Sequence, residues 1–136
     1  MIVIDTNVVS EMERDEPDRK VLAWSETVGR LHTTAVTLAE VDYGIARLPE
    51  GRRTDRLAAT AARVFADFDE VIVAFDAPAA RRYGGIVAGR ERAGRPIATA
   101  DAQIAAICAA QGATLATRNT GDFDGTGISL VNPWDG

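Results

Sequence analysis

One cysteine, one histidine and one lysine stand among the 136 residues, at Cys108, His32 and Lys20. A lone cysteine excludes an internal disulfide and agrees with a reducing, cytoplasmic setting. Cys108 lies in an apolar helical run, the setting of buried filler rather than of a nucleophile. His32 sits in a β-like run, so histidine acid–base chemistry is not the expectation. No apolar run approaches the ~20 residues of a membrane span, which implies a soluble protein with no membrane partner. The N-terminus carries Asp5, Glu11 and Glu13 with no basic lead segment, which argues against a secretory signal. Internal repeats, low-complexity tracts and long linkers are also missing, so residues 1–136 read as a single domain able to bury a real core.

What is present is ordinary in bulk: 46% hydrophobic and 26% charged residues, with a net charge of −5. Net negative charge disfavours nucleic acid on average. Nearly all the positive charge is arginine, however, and arginine is the better phosphate fork. A GC-rich genome accounts equally well for the abundance of Ala and Arg.

Short β-like runs alternate with helical patterns, the signature of an α/β domain with a mostly parallel sheet. Strands are expected at 1–4, 31–36, 71–75, a short piece near 97–98, 114–117 and 128–131. Apolar stripes mark helices between them. Val21, Trp24, Ser25 and Val28 line one over 18–28; Leu57, Ala61, Val64, Phe65 and Phe68 line another over 54–68. Ala80, Tyr83 and Val87 mark a third over 78–92. Ile104, Ile107 and Cys108 mark a fourth, ended by Gly112. Glu50-Gly51-Arg52-Arg53 reads as a charged turn.

Four of the strands end in the same grammar. The first runs into Asp5-Thr6-Asn7, the second into Thr37 and Glu40, Pro96-Ile97-Ala98 into Thr99 and Asp101, and Ala113–Thr117 into Asn119 and Asp122. Each corner has a local explanation. Thr37 with Glu40 fits a capping box. Thr99 fits an N-cap with Asp101 favouring the helix dipole, and Asp5 and Asn119 can cap as well. Asp76, followed by Pro78, has the grammar of a cap too.

Taken together the corners say more. In a parallel α/β sheet the carboxyl ends of the strands share one edge, where ligand sites form. Three or four carboxylates meeting there repel unless cations neutralise them, and oxygen-only ligands suit Mg²⁺ or Mn²⁺ with phosphate substrates. Such a metal lowers the pKa of bound water, supplies hydroxide for in-line attack at phosphorus and stabilises the leaving 3′ oxygen. No nucleophilic side chain is needed.

The ordered set Ile4-Asp5-Thr6-Asn7, Ala39-Glu40, Ala100-Asp101 and Ala116-Thr117-Arg118-Asn119 resembles the PIN-domain nucleases. The likeness is strongest to VapC-type toxins of bacterial toxin–antitoxin pairs, in the plasmid-stability branch, and Val131-Asn132-Pro133-Trp134 matches that branch. The resemblance spans essentially the whole chain. It implies a three-layer α/β/α sandwich around a mostly parallel five-stranded sheet. It also implies a Mg²⁺- or Mn²⁺-dependent endoribonuclease that forms a homodimer and is neutralised by a cognate antitoxin in a hetero-oligomer. Asp5, Glu40 and Asp101 match the core metal-binding acids, and Thr6 and Thr117 match hydroxyls that orient an acid or water. The fourth acidic position falls on Asn119, a neutral oxygen donor, which leaves either Asn119 or Asp122 to complete the site.

Arg81-Arg82 and Arg90, Arg92 and Arg95 precede the Asp101 corner. Arg92 and Arg95 are candidate contacts to RNA phosphates, the alternative being a solvated helix face paired with Glu91. The helices bearing Val21/Trp24 and Leu57/Phe65 are candidates for a partner surface. Two rival functions have different requirements. A haloacid-dehalogenase-like phosphatase needs a second aspartate two residues after the first and a supporting lysine, whereas position 7 is Asn and Lys20 lies far upstream. A catalytically degenerate binding module, acting through protein contacts, is the alternative that Asn119 keeps open.

Overall fold

The computed structural model describes residues 1–68 and 71–135. The elements run β1 (Ile2–Ile4), α1 (Thr6–Met12), α2 (Arg19–Thr27), β2 (Leu31–Thr34), α3 (Ala35–Ala46) and α4 (Arg52–Ala66). They continue with β3 (Ile72–Val73), α5 (Ala77–Arg92), α6 (Thr99–Gln111), β4 (Thr114–Ala116), α7 (Thr120–Phe123) and β5 (Ser129–Val131). The strands form one sheet of order β3-β2-β1-β4-β5, and every pairing is parallel.

The pleat divides the core. Ile4 and Ala116 point into a cluster with Val8, Val9, Val21, Val41, Phe65 and Phe68. Their strand neighbours Val3 and Leu115 point the other way, among Ile104, Ala105, Cys108 and Phe123. A strand covered on both faces reads as a continuous apolar run, as IVI does at the centre of the sheet. The result is the three-layer α/β/α sandwich expected.

Several boundaries differ from expectation. The strands over 31–36 and 71–75 pair only as Leu31–Thr34 and Ile72–Val73. The segment near 97–98 is no strand: Ala98 is extended at φ −63°, ψ 147°, but the stretch lies outside the sheet and serves as the lead into α6. Thr34, not Thr37, caps α3, accepting from Thr37 N, so the Thr37/Glu40 capping box does not form. Ala98, not Thr99, occupies the cap position of α6, with no side-chain cap bond. Arg52 and Arg53 belong to α4 rather than to the turn before it. Asp76 does cap α5, accepting from Ala79 N, and Gly112 ends α6 at φ +62°, a left-handed conformation that suits glycine.

The chain fills the sheet outward from β1 twice: to β2 and β3, then back across to β4 and β5. The carboxyl end of β1, beside β4, is therefore the topological switch point, where neighbouring connections depart in opposite directions and leave a crevice. Asp5 and Thr117 are the first residues beyond those two strand ends.

Candidate active site

Asp5 is buried, at 5% exposure, and its carboxylate is held by three donors. Thr6 N donates to Oδ1 at 2.8 Å, while Asn7 Nδ2 and the Thr117 hydroxyl donate to Oδ2 at 3.2 and 2.8 Å. The cap and site readings of this corner are thus one arrangement, since Asp5 caps α1 through Thr6 N and faces β4 through Thr117. Burial raises the carboxyl's pKa, the three donors pull it back, and the charge of Asp122 raises it further.

The Thr117 hydroxyl is fully used. It gives its proton to Asp5 and accepts from Asn7 Nδ2 at 3.1 Å and from Asn119 N at 3.1 Å. Asn7 completes the brace by accepting from Arg118 N at 3.0 Å. Asn7 was missed as a site residue by sequence reasoning, although it stands in the quoted Asp5-Thr6-Asn7 corner. Only the pairing of β1 with β4 brings it to residues 110 positions away. Arg118 also stacks over Trp134 with its guanidinium carbon 5.0 Å from the ring centroid. The Asn-Pro-Trp ending thereby supports the corner after β4.

Glu40 comes from the second turn of α3 and accepts from the Thr6 hydroxyl at 2.8 Å. Asp101 lies in the first turn of α6, half buried. Its pKa is pushed up to about 6, first by burial and then by the negative charges of Asp5, Asp122 and Glu40, with Arg90 opposing. Asp101 is therefore within electrostatic reach of Asp5, Glu40 and Asp122, and Asp5 within reach of Asp122. Among the described residues no group of three is already gathered closely enough to cage an ion. The donor chemistry is nonetheless that of a hard divalent cation: carboxylate oxygens, mutually repelling and partly desolvated.

Asn119 and Asp122 are both exposed; Asn119 precedes α7 without a side-chain cap bond, and Asp122 is in the helix. Asp122 is the one whose charge reaches Asp5 and Asp101. Arg92 is exposed at the end of α5. Arg95 donates to Asp124 Oδ2 at 2.8 Å and to Gly121 O at 3.0 Å. Arg90 is buried and bonds the backbone of the same segment. His32 lies at mid-strand beside Val3, and the Cys108 thiol is pushed up to about 12 by burial and then by Asp5, so it is inert.

A parallel sheet with an acidic crevice at the switch point defines the class, and the chain belongs to the PIN domain family, whose model matches residues 2–127. It is 39% identical over 138 residues to the VapC ribonuclease Y4jK of Sinorhizobium fredii, covering 99% of each. It is 36% identical to the toxin FitB of Neisseria gonorrhoeae, covering 98% of this chain and 99% of the other. The crystal structure of FitAcB from the same organism superposes with a TM-score of 0.88 at 35% identity, over 98% of this chain and 99% of that one.

Proposed function

We propose that the protein is a divalent-metal-dependent endoribonuclease, the toxin of a toxin–antitoxin pair. The observation that carries this reading is the junction at the switch point where Thr117 donates to Asp5, Thr6 joins Asp5 to Glu40, and Asp101 lies within reach of the charges of Asp5, Glu40 and Asp122. Asp5, Glu40 and Asp101 hold Mg²⁺ or Mn²⁺, with Asp122 as a further ligand and Asn119 lining the site as a neutral donor. When bound, such a cation would acidify a water and offset charge on the leaving oxygen. Thr117 and Thr6 fix the faces that Asp5 and Glu40 present. Arg92 and Arg95, on the approach to Asp101, attract the phosphate backbone and position the strand.

The relatives' names, a VapC ribonuclease and a toxin, support RNA as substrate and neutralisation by an antitoxin. Val21 and Phe65 are buried within this chain, but Leu22, Tyr43 and Leu48 stand exposed and are surface for an antitoxin or a second copy. Purified protein should cleave RNA with Mn²⁺ present and stop in excess EDTA; cleavage that persists in EDTA contradicts the metal requirement. Sequencing RNA ends after brief expression identifies the target. Asn119 favours one other reading, a degenerate module acting through protein contacts. Equal Mn²⁺ affinity in wild type and Asp5→Asn, with no RNA cleavage by either, would select it.

A further inference from the structure

We propose that Arg90 is a positioning residue of the acidic site: a buried clamp that sets the turn bearing Asp122 against Asp5 and Asp101. The inference rests on the metal-site reading above and adds to it a device that neither the motifs nor the fold class supply.

Arg90 closes α5 with its side chain inside the protein, at 6% exposure. Its Nε donates to Arg95 O at 2.6 Å, and its Nη1 donates to Asp122 O at 2.8 Å and to Asp124 O at 2.7 Å. Arg95 grips the same turn from the solvent side, through Asp124 Oδ2 at 2.8 Å and Gly121 O at 3.0 Å. Arginine is among the residues least often buried, and a buried guanidinium demands fixed partners. Here three backbone carbonyls meet it in one place.

The clamped segment is too short to hold itself. Helix α7 has four residues, and Gly125 turns the chain at φ +77° directly after Asp124. Phe123 anchors one side of the turn in the core, at 1% exposure. The turn's own bonds, Asp122 N to Asn119 O and Thr126 N to Phe123 O, set its shape but not its place against α5, and the direction of Asp122 depends on that place. Two guanidiniums on flanking carbonyls fix that place. The site needs this because the residue two positions beyond Thr117 is the neutral Asn119, and the nearest acid that follows is Asp122. Arg90 also places positive charge within reach of Asp101, offsetting part of the repulsion it helps to create.

The test is calorimetric titration of Mn²⁺ alone into the purified full chain, with melting temperature recorded for each variant. Arg90→Lys should weaken Mn²⁺ binding by about tenfold, as loss of an outer support typically does, and Asp122→Asn, which removes a ligand, by at least as much. The double variant should lose no more than Asp122→Asn alone. Arg95→Ala, a surface change, should shift affinity the same way by less, and it carries the same cycle with Asp122→Asn if Arg90→Lys does not fold. Variants that melt lower but bind Mn²⁺ like wild type would reduce the clamp to a structural prop, and additive losses would uncouple it from Asp122; either overturns the inference. Asp5→Asn separates this from the underlying reading. If wild type binds no better than Asp5→Asn, the metal site itself is lost and the clamp with it. If wild type binds, Asp5→Asn does not, and the arginine variants are unaffected, only the clamp fails.

Discussion

Thr117 shows how much of the site rests on a hydroxyl. One proton goes to Asp5, and the oxygen receives Asn7 and the Asn119 amide. Thr117→Val keeps the shape and strands both donors, so it should cost about 1–3 kcal/mol in urea unfolding and lower cleavage as well. Thr117→Ser should restore most of both; a valine variant with wild-type stability would contradict the network. Asp5→Asn makes the complementary case. Asparagine is as good an N-cap as aspartate, so its amide oxygen can still accept Thr6 N and keep α1. Its amide nitrogen, however, replaces the Oδ2 that accepts from Asn7 Nδ2 and the Thr117 hydroxyl, so we expect cleavage to be abolished and the protein to fold with a lowered melting temperature, read by RNA gel and calorimetry. Loss of folding instead would make Asp5 a structural residue first.

At the scale of elements, the sharpest test concerns α3. Thr34 accepts from Thr37 N at 3.0 Å and meets the Thr37 hydroxyl at 3.1 Å, all inside the core. Thr34→Ala should therefore cost about 1–2 kcal/mol, a large cap effect, measured by the urea midpoint. Glu40→Gln should leave stability nearly unchanged, because Glu40 accepts from Thr6 and is not part of a capping box. Equal losses in the two would restore the capping-box reading. This element also marks where legibility ends. The helix stripes, Asp76, Gly112 and the acids that follow β1 and β4 can be read from residue types and spacing, because each follows from local chemistry, whereas the corner at Asp101 follows a segment outside the sheet. The junction at Thr33-Thr34-Ala35-Val36-Thr37 cannot, since several threonines compete to cap and no turn residue separates strand from helix. Its place is set by how far β2 pairs with β1 and β3, which is a tertiary fact. Asn7 and Arg90 were hidden for the same reason. Asn7 reaches Thr117, 110 positions away, and Arg90 reaches Asp122 and Asp124, 32 and 34 positions away, only across the folded chain.

For the whole molecule, the sheet order imposes an electrostatic cost, because one rim gathers acids in a chain whose net charge is already −5. Burial and the neighbouring carboxylates push the Asp101 carboxyl up to about 6, against 3.8 ordinarily, and burial raises Asp5 too. A carboxyl with a raised pKa favours the folded state when protonated. Its contribution is fully present below pH ~4 and is lost as pH rises through about 6. In metal-free protein, Asp101→Asn should therefore match wild type near pH 4 and exceed it at pH 7. Because Asp101 is half exposed, solvent screening holds the gain to about 1 kcal/mol. Mn²⁺ should reverse the order at pH 7, since a ligand that binds only the folded state stabilises wild type in proportion to its occupancy, while the asparagine variant has lost a ligand. Urea unfolding at both pH values, with and without Mn²⁺, measures all four corners. A wild type more stable than Asp101→Asn at pH 7 without metal would mean that the acids at this rim do not oppose one another, and the pressure toward a cation would be gone.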